Sequence, residues 1–361
     1  VTLPTARRPG VLIVSATELR PTHRRPLSSE FTRRVTVTMN SIHASVFDEI
    51  SGVMSSSSAD QQADPDPKIW VWYTTMTLIA LVNMCLMYRA YKQHPSSSSY
   101  TDLMKDLAVP FVFQTSYRSL FPNQYTSRTV FWDTGLSSIL LARFFACIGE
   151  LCWVCQISHV LRHVDADTTP NVASHMSTKA RMRGWTCLSI LAAFPMVLIT
   201  VAEACSFTCT ATKNNLFCGL EESFWGLSFS CFGPVALVLF IRCYKLGIKA
   251  TESNGMMTCA VLTVFSIIYV PWEFKDNVPK YLDLWRTEDH GDYLSFHDGI
   301  VDAAFTRNMS REYDAWSEFL FWRTAYFSLC AWSSIYLMRA PSVEASPIMQ
   351  ALPTQSTQSK R

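Results

Sequence analysis

Six blocks of apolar residues constrain this chain more than any other feature, because each is long enough to cross a lipid bilayer. A helix needs about 20 apolar residues to span the bilayer core. The blocks cover residues 69–91, 134–161, 185–207, 224–243, 256–274 and 319–338. Tryptophans mark their ends, as expected where aromatic rings lie at the level of the lipid headgroups. The sequence predicts an all-α, polytopic helical membrane protein with about six transmembrane helices.

The composition agrees with a membrane protein. Of the 361 residues, 49% are hydrophobic and 17% are charged, whereas soluble domains carry about 25% charged residues. The net charge of +2 is too small to indicate a nucleic-acid-binding surface, and the sequence has no long basic run. The expected partner is therefore the lipid bilayer, not nucleic acid. No sequence pattern indicates a cofactor.

Polar segments flank the predicted transmembrane domain, which covers residues 69–338. Residues 1–68 and 339–361 are predicted to be disordered tails because they are polar and the first is rich in serine. Within the first tail, residues 1–38 carry seven arginines and two glutamates, which is the bias of an organellar transit peptide. The alternative is upstream sequence that is not normally translated, with Met39 as the start.

A shorter apolar segment lies between the first two blocks. Residues 102–121 are interrupted by Pro110 and carry several polar side chains. The segment is too short to count as a further span by its hydropathy. We therefore predict an interfacial or re-entrant piece here.

Lysine and arginine residues in the short loops predict the orientation. The loops after the second and fourth blocks are basic, which places them and both termini in the cytoplasm. The loop after the first block is also basic and disagrees with this orientation. Two features agree with it, a glycosylation sequon at Asn308 and cysteines available for a disulfide, both on the predicted non-cytoplasmic side. These cysteines are Cys205, Cys209 and Cys218.

Two charged residues, Arg143 and Glu150, lie inside the second block. A charge at the bilayer centre costs about 2.5 to 3.5 kcal/mol. Counting about 1.5 Å per residue from Trp132 places Arg143 near the centre and Glu150 near the cytoplasmic interface. The two residues share a helix face but are about 10 Å apart along the axis. We therefore expect each to have a different partner.

Polar residues in the other blocks supply the expected partners, and they form two layers. The upper layer is predicted to contain Arg143, Glu203, Glu273 and Arg323. The lower layer is predicted to contain Glu150, Arg242 and Gln156. Intramembrane charges by default indicate a binding site or proton path. The alternative is that they are structural ion pairs that fix the helix register.

Residues 275–318, between the fifth and sixth blocks, are too many for a simple connector. We predict that they fold into a cap at the membrane surface. Ser295 followed by Asp298 forms a capping box, which predicts a short helix through Ala304. The weak candidates for metal binding or acid–base chemistry are His290, Asp292, His297 and Asp298. Their spacing matches no known motif, and a solvated acidic loop is the alternative interpretation.

Three functional hypotheses follow. The first is a small-solute or ion transporter that uses the buried charged layer. The second is a non-catalytic scaffold or assembly factor, with structural charges and an outer loop that binds a protein partner or a second copy. The third, a membrane enzyme that uses the outer loop, is the least favoured because no catalytic motif is present. Pro195, Pro234 and Pro271 lie inside the blocks and favour a transporter, whereas no internal repeat supports one.

Overall fold

The computed structural model describes residues 66–94, 98–173, 178–248, 253–287 and 293–343, and the side chains of residues 170–186 are not described. Most of the two predicted tails lies outside these ranges, as do His290 and Asp292. The described chain is mostly helical. The expectation of an all-α fold is therefore confirmed.

Ten α-helices lie within the described ranges. They are α1 (Pro67–Gln93), α2 (Ser99–Leu120), α3 (Ile139–Ala173), α4 (Thr178–Thr212), α5 (Asn215–Lys245), α6 (Asn254–Trp272), α7 (Val278–Thr287), α8 (Phe296–Phe305), α9 (Tyr313–Ala325) and α10 (Ala331–Leu337). A π-helical turn, Glu273–Asn277, joins α6 to α7, and a second, Tyr326–Cys330, joins α9 to α10. The fold is therefore built from seven long helical rods and the short α8.

Polar side chains begin several of these helices. A helix start leaves backbone N–H groups without partners, and a side-chain oxygen at the N-cap accepts a hydrogen bond from one of them. The residues that do so are Asp66, Ser98, Asn214, Ser253 and Ser295. The last of these is the predicted capping residue of the helix in the outer loop.

Within the described part of the chain, five helices are long and apolar enough to cross a membrane. They are Pro67–Gln93, Ile139–Thr169, Cys187–Thr212, Asn215–Lys245 and Asn254–Thr287. Large apolar side chains such as Leu78, Val197 and Ile267 are exposed on their outward faces, as expected for a surface that faces lipid. These five helices fit a multi-pass membrane protein.

The segment predicted to be interfacial is a regular helix, α2, and it packs inside the bundle. From Thr101 to Leu120, Asp106 is the single exposed residue. Gln114, Thr115 and Ser116 are buried, so the polar side chains face protein instead of lipid. Hydropathy measures suitability for contact with lipid, and it therefore undervalues a helix that other helices surround. The burial of α2 along its length differs from what an interfacial piece would show, and the re-entrant alternative stays a prediction.

The fifth and sixth predicted blocks also have different boundaries in the structure. The fifth block was expected to end at residue 274, but the helix continues through the π-helical turn and α7 to Thr287. The first part of the predicted cap, residues 275–287, is therefore helical and continuous with α6. The sixth block, residues 319–338, falls within the rod formed by α9, a π-helical turn and α10. Arg323 and Ser328 make this rod less apolar than the five helices described above.

One end of the bundle, here called the disulfide end, carries the Cys209–Cys218 disulfide between α4 and α5. At the same end, β1 (Thr129–Val130) pairs in parallel with β2 (Asn308–Met309). The ammonium of Lys68, at the start of α1, lies 5.3 Å from the ring centre of Tyr313. The first described helix therefore begins at the disulfide end.

The opposite end, here called the tail end, holds residues 339–343. The backbone N–H of Val343 donates to Asp167 at 3.0 Å, and the Tyr100 hydroxyl donates to the Pro341 carbonyl at 3.1 Å. Pro67 and Val343 thus lie at opposite ends of the bundle, because α2 adds one more passage of the chain than the sequence predicted.

A cap covers part of the disulfide end. Arg128 is fully buried and its Nε donates to Asp302 of α8 at 2.7 Å, and Lys213 lies 3.2 Å from the same carboxylate. Gly299 touches the backbone of Ala211, so a β-carbon at this position would collide with the end of α4. The cap is therefore folded against the bundle and holds residues 121–131 in place.

Candidate functional site

Arg143, on the first turns of α3, is the centre of a buried cluster of charges. Its guanidinium contacts Glu203 of α4, Glu150 of α3 at 3.5 Å and Glu221 of α5 at 3.4 Å. The side chain of Arg143 is 2% exposed. Three helices therefore present carboxylates to one guanidinium, which neutralises charge that would otherwise be costly in a membrane interior.

Glu150 collects donors from other helices of the bundle. Arg118 of α2 lies 3.1 Å from it, and the Tyr326 hydroxyl donates to it at 3.0 Å. Gly149 allows this arrangement, because a β-carbon there would collide with Gln114 of α2. The absence of a side chain at Gly149 brings α2 close enough for Arg118 to reach the Glu150 carboxylate.

The prediction that Arg143 and Glu150 each have a different partner is wrong, because their side chains contact each other at 3.5 Å. The depth estimate counted helical residues from Trp132, but α3 begins only at Ile139. Arg143 is therefore one turn from the helix start, and Glu150 lies about 16 Å along the axis from that start. A long arginine side chain that extends along the helix covers most of the distance of two turns, so the pair is in contact.

The predicted lower layer does not form. Arg242, near the end of α5, donates to Asp165 at 2.5 Å and to the Thr168 hydroxyl at 3.3 Å instead of meeting Glu150. Gln156 donates to the Met104 carbonyl at 2.8 Å. Glu150 lies nearer the disulfide end than Arg242 does. The prediction placed Glu150 too far along the bundle because it began the helix at Trp132 instead of Ile139.

The upper layer is also divided. Arg143 and Glu203 are in contact, but Glu273 accepts from Asn277 at 2.9 Å and Arg323 donates to the Asn123 carbonyl at 2.5 Å. Among the described residues, no salt bridge links Glu273 or Arg323 to an opposite charge. The four predicted residues therefore belong to different parts of the site.

A cavity of about 200 Å³ lies among these side chains. Its charged lining residues are Arg118, Arg143, Glu150, Glu221, Glu222 and Arg323. Aromatic rings form much of the remaining wall, including those of Trp225, Tyr269, Trp322 and Tyr326. Ligand sites commonly combine apolar and aromatic walls with a few convergent polar groups. This cavity has that character and is the candidate functional site.

Tyr125 connects the cavity to the segment that the cap holds. Its ring centre lies 5.5 Å from the guanidinium carbon of Arg118 and 5.6 Å from that of Arg143. Gln124, Tyr125 and Thr126 all line the cavity. The loop after α2 therefore forms the wall of the cavity towards the disulfide end.

Sequence reasoning missed Arg118, Tyr125, Glu221, Glu222 and Tyr326 as site residues. Glu221 and Glu222 fall outside the fourth predicted block, which begins at residue 224. In the structure α5 begins at Asn215 and includes both glutamates. The signal that would have found them is the short connection between α4 and α5, which leaves only residues 213 and 214 outside the helices. Because the connection is this short, α5 begins near residue 215. The adjacent Glu221 and Glu222 therefore lie about two turns inside α5.

The candidate residues of the outer loop have other surroundings. The side chains of His297 and Asp298 are 90% and 74% exposed, and Ser295 and Asp298 cap the start of α8. Among the described residues there is no group of three or more His, Cys, Asp or Glu side chains that could hold a metal ion. Asn308 is exposed on β2, and Cys205 is a free thiol beside the Cys209–Cys218 disulfide.

Comparison of the chain with models of protein families, with curated proteins and with solved structures found no match. The chemistry of the cavity is therefore the basis for a functional assignment.

Proposed function

We propose that this chain is a multi-pass membrane carrier that binds a small polar solute in the cavity beside Arg143. One observation carries the proposal: charged side chains from α2, α3, α5 and α9 converge on a single cavity. Charges that only fix the helix register would form ion pairs. Such pairs do not need to line a common cavity. Intramembrane charges that face a cavity are typical of solute and ion pathways.

The size of the cavity limits the solute. An apolar cavity of about 150 Å³ in another protein holds one benzene molecule. A cavity of about 200 Å³ therefore suits a solute as small as an amino acid or a simple amine. The charged lining favours a polar solute, because an apolar one would leave the buried guanidinium and carboxylate groups without a polar neighbour.

Two interrupted helices support movement at this site. The π-helical turns Glu273–Asn277 and Tyr326–Cys330 both lie beside the cavity, and Tyr326 lines it. Such turns often mark functional sites in helices. Pro271 precedes the first of them inside α6. At such breaks the helices of a carrier can bend while the rest of the bundle stays packed.

The proposal includes seven membrane-crossing rods, with the disulfide end on the non-cytoplasmic side. The packing of α2 supports this orientation because it divides the basic loop that disagreed with it. Arg89 and Lys92 belong to the tail end, with the other basic loops, whereas Arg128 belongs to the disulfide end. The Cys209–Cys218 disulfide fits a non-cytoplasmic environment.

Glycosylation mapping tests the orientation. We expect Asn308 to carry a glycan in microsomes, and the glycan to be lost in Asn308→Gln. A sequon inserted into residues 246–253, between α5 and α6, serves as the matched site at the tail end and should remain unmodified. A glycan on the inserted sequon would contradict the orientation.

Uptake into proteoliposomes tests the carrier function. The solutes are radiolabelled glycine, choline and acetate, which cover a zwitterion, a cation and an anion of suitable size. We expect uptake of at least one, and at least tenfold slower uptake with Glu221→Gln. The matched control is Arg242→Gln, which removes an ion pair with the buried Asp165 outside the cavity and should leave uptake within about twofold.

The scaffold hypothesis is the main competitor, and the same preparation separates it from the carrier hypothesis. A scaffold predicts no uptake of any solute and a stoichiometric partner that co-purifies with the chain. That pair of results would overturn the proposal.

A further inference from the structure

The cavity has more carboxylates around it than guanidiniums. Glu150, Glu203 and Glu221 all meet Arg143, and Glu150 also meets Arg118. Two further carboxylates, Glu222 and Glu273, have no salt bridge within the described part of the chain. Five glutamates against the three arginines of the site (Arg118, Arg143 and Arg323) leave two carboxyl groups without a guanidinium.

The two carboxyl groups without a guanidinium are neighbours. Glu222 lines the cavity, and Glu273 lies directly beside Glu222. Glu273 is fully buried, and its Oε2 atom has no hydrogen-bond donor within bonding geometry among the described residues. Lys280 interacts electrostatically with Glu222 but forms its ion pair with Glu318. A buried carboxylate oxygen without a donor is costly unless a cation or donor reaches it.

Aromatic rings surround this acidic corner of the cavity. Tyr269 lies beside both glutamates and lines the cavity together with Trp225 and Trp322. The rings of Tyr269 and Phe229 are 5.0 Å apart, and those of Tyr269 and Trp322 are stacked at 6.4 Å. Aromatic faces attract organic ammonium ions, and cages of such rings recognise quaternary ammonium groups.

From this combination we propose that the solute is a small organic ammonium ion, held by Glu222 within the aromatic wall at Tyr269, with the buried Glu273 directly behind Glu222. This inference rests on the proposed carrier function and names its substrate class. Glu222 and Glu273 supply the charge that balances the ammonium, and the rings exclude water from it. A simple anion does not fit this corner, because both carboxylates would repel it.

The test is the thermal stability of the purified full chain in nanodiscs with choline or tetramethylammonium. A ligand that binds only the folded state raises the unfolding temperature in proportion to the logarithm of its concentration. Sodium chloride at equal ionic strength is the reference, and glycine and acetate are the comparison solutes. We expect stabilisation by choline, with an apparent Kd at least tenfold weaker in Glu222→Gln.

A matched pair of substitutions tests the aromatic wall. Tyr269→Phe keeps the ring and should retain choline binding, whereas Tyr269→Leu removes the ring and should weaken binding at least fivefold. Asp165→Asn, at the tail end, is the control for general effects of a lost buried carboxylate. Each variant is compared with its own unfolding temperature without solute, so a less stable variant remains informative.

The outcomes separate this inference from the carrier proposal. Stabilisation by acetate or glycine but not by choline would overturn the ammonium inference and leave a solute carrier intact. Choline binding that is unchanged in Glu222→Gln would overturn the assignment of the site. No response to any solute, together with no uptake into proteoliposomes, would overturn both proposals.

Discussion

The two ends of the bundle each hold an arginine that meets a buried carboxylate, but the surroundings of these arginines differ. Near the disulfide end, Arg143 meets three carboxylates from three helices beside a cavity. Near the tail end, Arg242 meets Asp165 and threonine hydroxyls and lies outside the cavity. The comparison teaches that buried charge alone does not identify a site. A site is identified instead by several charges that line one cavity.

The largest expected effect comes from removing the centre of the first network. Arg143→Leu leaves Glu203 and Glu221 without their arginine and Glu150 with Arg118 alone, so we expect a loss of about 3 to 5 kcal/mol in the free energy of unfolding. Arg242→Leu at the tail end should cost less, because Arg242 is 18% exposed and strands only one carboxylate. Equal losses in denaturant unfolding of the two variants would contradict the distinction between the ends.

The disulfide gives its end of the bundle a covalent link. Replacing both Cys209 and Cys218 by serine removes a short loop closure, and we expect a loss of roughly 2 to 3 kcal/mol. Reduction of the wild-type protein should produce a similar loss, and reduction of the double variant should produce none. Unfolding that is insensitive to reductant would show that the pairing does not stabilise this end.

Close approach of α2 and α3 should matter at Gly149. A β-carbon at this position collides with Gln114 and lies 3.1 Å from the Pro110 carbonyl oxygen, so Gly149→Ala should cost about 1 to 3 kcal/mol. The matched control is Gly135→Ala, where nothing lies within 4 Å. If Gly149→Ala is as stable as the control, the approach of α2 is looser than described.

The smallest expected effect is a loosening of the cap in acid. Burial opposes ionisation of Asp302, but hydrogen bonds from Thr306, Arg128 and Lys213 outweigh it and lower the pKa of this carboxyl. A lowered pKa in the folded state contributes stability at neutral pH, and this is lost as the pH falls through the folded value. We therefore expect the cap to loosen only below the ordinary aspartate pKa of about 3.9.

Hydrogen exchange of residues 294–311 measures this loosening. Exchange in the wild type should accelerate as the pH falls below that value, after correction for the intrinsic rate. Asp302→Asn should exchange faster already at neutral pH and show a weaker dependence on acid. A cap whose protection is the same across this range in both proteins would refute the role of Asp302.

Much of the fold was predictable because lipid-facing helices are apolar throughout. The five helices of sufficient hydropathy correspond to the first five predicted blocks. The packing of α2 was not predictable in this way, because its buried face carries Gln114, Thr115 and Ser116. A helix that is surrounded by protein has no need to be apolar. The count of rods, and with it the relative position of the two ends, depended on this helix.

The candidate site was predictable only in part. Arg143, Glu150 and Glu203 stand out in the sequence because charges are rare in apolar blocks. Their partners depend on where each helix begins, and an error of about two turns at the start of α3 was enough to pair Glu150 with Arg242. Glu221 and Glu222 were missed for the same reason at the start of α5. The errors arose because hydropathy locates helix boundaries poorly.

Access of a small reagent to the acidic corner tests the central claim most directly. Glu222→Cys is treated with the cationic thiol reagent 2-aminoethyl methanethiosulfonate, with the wild type as background for the native cysteines and Thr168→Cys as a buried tail-end comparison. We predict rapid labelling at position 222 and little labelling at position 168. Labelling at 222 that is no faster than at 168 would contradict a solute cavity among these charges.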